Sequence, residues 1–141
     1  MQEIVSDKSW ELLEKCPIIT ELDIVKARQL VRQYAKEFGM GIVDQTRITT
    51  AVSELFRNMY MYANGGEVLI ERGIIDEKPT LIVTSIDTGP GIDDLDLVMT
   101  DGYTSGQGMG YGMPGAKRLV DRFELYSVPG KGTTVRVMKW K

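Results

Sequence analysis

The 141-residue chain contains no histidine. That absence excludes Ser-His-Asp triads, histidine-ligated metals and phosphohistidine relays together, because each needs an imidazole. Cysteine occurs once, at Cys16, so neither an intramolecular disulfide nor a zinc site of several thiolates can be built. A lone thiol suits a reducing compartment, and a cytoplasmic location is expected. No apolar run approaches the roughly 18 residues of a membrane span, and residues 1–15 mix charges where a signal peptide would be apolar. Neither export nor membrane anchorage is expected. Positive charge is also short: 17 Lys and Arg against 20 Asp and Glu leave a net charge of -3. No global field then recruits nucleic acid or an anionic membrane, and partners must be found through local chemistry.

What is present describes an ordinary globular domain. Hydrophobic residues make up 43% and charged residues 26% of the chain, well away from disordered compositions. The length fits one domain, residues 1–141, with its own core. Thr20 with Asp23 forms a capping box, and Ile24, Ala27, Val31, Tyr34 and Phe38 recur at helical spacing up to Gly39, predicting a helix over 21–38. A second helix is expected over 44–62, with Asp44 as N-cap and Ile48, Val52, Leu55, Met59 and Tyr62 as its core stripe, ended by Asn64-Gly65-Gly66. Strands are expected over 67–75, 80–86, 122–128 and 133–140, with a short helix over 114–121. Thr80 to Ile86 is apolar at nearly every position, as a central strand under helices should be. The fold class is therefore an α+β two-layer sandwich, a mixed β-sheet with helices on one face. The first 20 residues stand apart as an N-terminal extension, whose Trp10, Leu12 and Leu13 pack on the domain or meet a partner.

Three places carry candidate chemistry. At about 100° per residue, Arg47, Ala51, Glu54 and Asn58 share a flank beside the core stripe of the second helix. An i, i+4 Glu/Asn pair there presents a carboxylate base and a neutral oxygen ligand to one small volume, although such pairs also occur on plain solvated helix edges. Asp87-Thr88-Gly89-Pro90-Gly91 follows the most apolar strand, which delivers the carboxylate to a strand end where a pocket can open. Glycines let backbone approach a flat ligand, and the carboxylate suits an exocyclic amine such as adenine's; a plain Gly-Pro turn is the alternative. Asp-Thr-Gly is also the aspartic protease signature, but two long helical patterns precede it, against the mostly β chain that site requires.

The third is Gly106-Gln107-Gly108-Met109-Gly110-Tyr111-Gly112-Met113-Pro114-Gly115, with glycine at alternate positions before a short helix. Such a loop turns N–H groups toward phosphate oxygens, or else is simply a flexible surface loop. The Gly110 to Gly115 match to a dinucleotide fingerprint lacks a preceding strand, and no Gly-Lys-Ser/Thr follows, so neither a Rossmann site nor a Walker loop is present. Lys117 and Arg118 follow closely enough for one to reach phosphate. Gly130-Lys131-Gly132-Thr133-Thr134 reads as a hairpin turn.

The order of these pieces resembles the GHKL ATPase and kinase superfamily, which shares the Bergerat ATP-binding fold. Within it the chain looks most like the switch-protein serine/threonine kinases of bacterial stressosomes and the anti-sigma-factor kinases. "ARQL", "RITTAVSELFRN", "DTGPGI", "DGYTSGQGMGYGMPGAKRL" and "GTTVRVMKW" carry the likeness, from Asp23 to Trp140. The resemblance implies ATP and Mg²⁺ as cofactors. It implies Glu54 as general base, Asn58 as Mg²⁺ ligand, Asp87 on the adenine amine and Thr133 supporting adenine through a water. Gly89 and Gly91 would shape the pocket, and Gly106, Gly108, Gly110 and Gly112 the phosphate lid, with Lys117 near the phosphates. Implied partners are STAS-domain scaffold or antagonist proteins as substrates and a downstream phosphatase, with no nucleic acid and no membrane. An ATP-dependent binding module that sequesters a partner is the alternative.

Overall fold

The computed structural model describes residues 9–63, 65–92 and 112–141. In chain order the elements are β1 (Glu11–Ile18), α1 (Glu21–Glu37), α2 (Ile42–Tyr62), β2 (Gly66–Ile75), β3 (Lys78–Asp87), α3 (Met113–Arg118), β4 (Arg122–Val128) and β5 (Gly132–Trp140). The strands form one sheet in the order β1-β2-β3-β5-β4. Among the described residues every pairing is antiparallel, where a mixed sheet was expected. Between β3 and β5 the register brings Asp87 opposite Thr133, which joins two of the motifs at one end of the sheet.

Local sequence explains the helix limits. Thr20 Oγ1 accepts from Asp23 N at 3.2 Å, while the Asp23 carboxylate accepts from the N–H groups of Thr20 at 2.9 Å and Ile19 at 3.0 Å. Asp is thus long enough to close the box, and these backbone bonds hold its carboxyl below the usual range. At the other end Gly39 takes φ +84°. Met40 N donates to Ala35 O and Gly39 N to Lys36 O, the paired bonds of a Schellman stop.

α2 begins two residues earlier than expected, with Gly41 at its N-cap and no side-chain cap. Asp44 lies inside the first turn, where its carboxylate meets Lys139 Nζ at 3.5 Å and Arg47 Nη1 at 3.8 Å. An ion pair to β5 has taken that side chain from the capping role.

α1 and α2 pack on each other and on one face of the sheet. Ile48, Val52, Leu55, Phe56 and Met59 of α2 meet Val68, Ile70, Leu81, Val83, Val135 and Val137 of the strands, with Ala27, Val31 and Ala35 of α1 completing the core. Each fully buried large side chain in this set contributes about 1.5–3 kcal/mol. On the opposite face the Trp10 ring lies 4.9 Å from the Arg136 guanidinium carbon, and Trp10 occupies the space a Cβ on Gly73 would need.

β1 was not expected. Residues 11–18 belong to the sheet, antiparallel to β2 and with a register shift between Leu12 and Glu14. The segment carries Glu11, Glu14, Lys15 and Pro17 and is half exposed, as an edge strand can be, while Cys16 and Ile18 reach the core. Among the described residues no helix is long and apolar enough to cross a membrane.

Candidate functional site

β3, buried from Thr80 to Ser85, emerges from the core at Asp87. There it opens into a partly enclosed cleft at the surface. The last two turns of α2 roof it with Leu55, Asn58, Met59 and Tyr62. The β3 end and its loop supply Ser85, Asp87, Pro90, Gly91 and Ile92, β5 supplies Thr133 and Val135, and Met113 closes one side. Apolar walls with a few polar groups fit a flat heterocycle.

The polar groups are held from behind by backbone. Asp87 Oδ1 accepts from Gly89 N at 2.9 Å and from Thr133 N at 3.1 Å. Neither bond uses Oδ2, which has no hydrogen-bond partner among the described residues although Asp87 lines the cleft. Burial pushes this carboxyl above its ordinary value, and the two N–H bonds offset the rise only in part. A half-buried carboxylate with one oxygen spoken for is an acceptor waiting for a donor.

The loop after Asp87 is fastened to the β4–β5 hairpin. Pro90 O accepts from Gly130 N at 2.7 Å, and Ser127 Oγ accepts from Ile92 N at 2.8 Å. Gly91 and Gly132 are required here: both have positive φ, +76° and +131°, and a Cβ would run into Val128 O and Asp87 O respectively.

Of the residues singled out from sequence, Asn58, Asp87, Gly91 and Thr133 come together in the cleft. Gly89 stands behind it and serves through its N–H. Glu54 lies one helical turn before Asn58 and is not among the lining residues. Its Oε1 is 3.7 Å from Arg57 Nη1, and its Oε2 faces Gly112, 2.5 Å from where a Cβ on that glycine would stand. The carboxylate therefore sits beside the residue that opens α3. Gly106, Gly108 and Gly110 lie outside the described residues. Lys117 and Arg118 are exposed at the end of α3, outside the cleft lining. Sequence reasoning missed Ser127, Tyr62, Met113 and Ile92. Ser127 carried no local signal, being one polar residue in an alternating strand, whereas Tyr62 had been counted only as core.

Comparison with known proteins agrees with this fold. Residues 43–141 match the family described as histidine kinase-, DNA gyrase B-, and HSP90-like ATPase. The chain is 53% identical over 123 residues to the serine/threonine-protein kinase RsbT of Bacillus subtilis, with 87% of this chain and 92% of that one covered. It is 35% identical over 120 residues to the anti-sigma F factor of Caldanaerobacter subterraneus, covering 81% and 82% of the two chains. In fold it is similar to the RsbU and RsbW domains of Rv1364c from Mycobacterium tuberculosis, with TM-score 0.59 at 19% identity over 92% of this chain and 31% of that longer one. The catalytic domain of histidine kinase ThkA gives TM-score 0.52 at 16% identity, covering 92% and 97%. The chain thus belongs to the histidine kinase-, DNA gyrase B- and HSP90-like (GHKL) ATPases, as an ATP-binding enzyme of the RsbT serine/threonine-protein kinase type.

Proposed function

We propose that the chain transfers the γ-phosphate of ATP to a serine or threonine of a small STAS-domain scaffold or antagonist protein in the cytoplasm. Partner switching then follows, in which the released kinase engages and activates a downstream phosphatase. The observation that carries the reading is the Asp87 carboxylate in its apolar cleft, with one oxygen fixed by backbone and Asn58 on the opposite wall. Its second oxygen accepts from the exocyclic amine of adenine, and Thr133 supports the same edge of the base.

Mg²⁺ fits the donor set. Among the described residues no group of three or more carboxylates or thiols could hold a metal. Asn58 offers one neutral oxygen, which suits an ion that takes few protein ligands and completes its shell with phosphate oxygens and water. When bound, that ion neutralises charge on the phosphates. The lid glycines Gly106, Gly108, Gly110 and Gly112 are assigned to the phosphates through their N–H groups, with Lys117 as the nearby cation. Glu54 takes the proton of the incoming hydroxyl as its oxygen bonds to the γ-phosphorus and ADP departs. Such a base contributes about 10²–10⁴-fold, and positioning supplies most of the remainder.

A second reading is favoured by the likeness to anti-sigma F factors: ATP gates the capture of a partner and phosphoryl transfer is inefficient. Incubation with γ-labelled ATP, Mg²⁺ and a STAS-domain partner separates the two. Label on a partner serine or threonine is expected, and its absence under conditions where ATP binds would leave only the gated binder.

A further inference from the structure

α2 shows two sides at the cleft. Leu55, Asn58, Met59 and Tyr62 line it. At about 100° per residue Glu54 stands about 40° from Asn58 on the side away from that lining, with Met61, Thr50 and Arg57 about 20°, 40° and 60° beyond it. This flank is open: Met61 is 57% exposed, and Thr50 and Arg57 are exposed as well. A lone exposed methionine is ordinary on a protein surface. Met61, however, lies about 10 Å along the helix from Glu54, with Arg57 between them.

Glu54 joins the two sides, its Oε2 facing Gly112 and its Oε1 3.7 Å from Arg57 Nη1. With nucleotide filling the cleft, a hydroxyl borne by another protein reaches this carboxylate over the solvent flank of α2. Whatever carries that hydroxyl then covers the neighbours of Glu54. Arg57 meets Glu54 beyond hydrogen-bond distance and through one nitrogen of a guanidinium that has five N–H groups. In a chain of net charge -3 it is a local cation, able to take a second carboxylate in a bidentate pair.

Resting on the reading of Glu54 as the base, we infer that Arg57 and Met61 form the docking surface for the protein substrate. That partner presents a carboxylate to Arg57 and an apolar side chain to Met61, in a row beside the hydroxyl that reaches Glu54. The flank selects the protein, and the cleft selects the nucleotide.

The test is calorimetric binding of a STAS-domain protein to the chain loaded with Mg²⁺ and a non-hydrolysable ATP analogue, so that no transfer occurs. Arg57→Glu loses a charge-assisted pair, and Met61→Asp sets a carboxylate against an apolar side chain; each weakens that binding by about tenfold or more. The analogue itself binds within about twofold of wild type, because neither side chain lines the cleft. Arg32→Glu makes the same charge change at an exposed site on α1 and leaves partner binding within about threefold. Partner binding unchanged in Arg57→Glu and Met61→Asp overturns the inference, as does an equal loss in Arg32→Glu, which would mark a general field. A wild type that sediments as a dimer, and as a monomer with Met61→Asp, assigns the flank to a second copy and overturns it too. If Met61→Asp does not fold, Met61→Gln replaces it. A wild type that binds no STAS-domain protein removes the partner class and this surface together. Failure of the underlying reading of the base looks different: Glu54→Gln would then label the partner at the wild-type rate.

Discussion

Replacing Asp87 by Asn separates what this side chain does for the fold from what it does for the ligand. The amide keeps an oxygen to accept from Gly89 N and Thr133 N, so the loop retains both anchors. Toward the cleft an NH₂ replaces the open carboxylate oxygen and meets the adenine amine donor to donor. Loss of a hydrogen bond to a charged group is worth about 1.5–3 kcal/mol, or roughly 10- to 150-fold in ATP affinity. Stability should move the other way. Burial raises the Asp87 carboxyl above its ordinary value, so the folded state holds that proton more tightly than the unfolded chain does. The wild type therefore loses stability as pH rises from the unfolded value, about 3.9, through the folded one, and carries the full cost at neutral pH. Asn carries no such cost. Denaturant unfolding should show the variant at least as stable as the wild type near pH 7, with that margin shrinking toward about pH 4, while calorimetry shows the affinity loss. A variant clearly less stable at neutral pH, or one that binds ATP within about threefold of wild type, would refute the division of roles.

Glu54→Gln should lower phosphorylation of a protein serine by about 10²–10⁴-fold while ATP affinity stays within a factor of about two, because Glu54 does not line the cleft; equal affinity losses in Glu54→Gln and Asp87→Asn would sink the assignment. Gly132→Ala forces a Cβ into Asp87 O at φ +131° and should cost more than about 2 kcal/mol of stability together with nucleotide binding, both read by thermal melts with and without ATP. Thr20→Ala opens the capping box of α1 and should lower stability by about 1 kcal/mol without changing ATP affinity, since α1 contributes nothing to the cleft.

Where a local rule decides the outcome, the sequence was legible. α1 was bounded to within a residue because both of its stops, the Thr20–Asp23 box and Gly39, are made by neighbours in sequence. β4 was placed at its observed limits. Asp44 was misread because a good N-cap residue is also a carboxylate, and Lys139, 95 positions away, competed for it. β1 was missed because an edge strand needs little hydrophobic alternation when its stability comes from the ladder to β2. The strand pairing that sets Asp87 against Thr133 is a long-range contact with no local trace. Three of the motifs could be seen, yet the contact that joins two of them could not. Ser127 shows the same limit, since its importance lies entirely in which groups fold around it.

The cleft divides its polar side chains between two employments. Asp87 gives one oxygen to the backbone of its own loop and of β5 and keeps the other for a ligand. Thr133 gives its N–H to Asp87, and its hydroxyl lies 2.9 Å from Ser127 Oγ. Under the proposed roles, base recognition thus shares its side chains with the bonds that close the sheet end, and only a substitution such as Asp87→Asn, which keeps the backbone acceptor, separates the two. Glu54 is placed differently, on a half-buried helix flank beside Arg57 and Gly112. Its contribution can be removed while the nucleotide pocket stays intact. Under the proposed roles, ATP binding and phosphoryl transfer rest on different side chains of this scaffold, so a change at Glu54 would turn a kinase into an ATP-gated binder without dismantling the cleft.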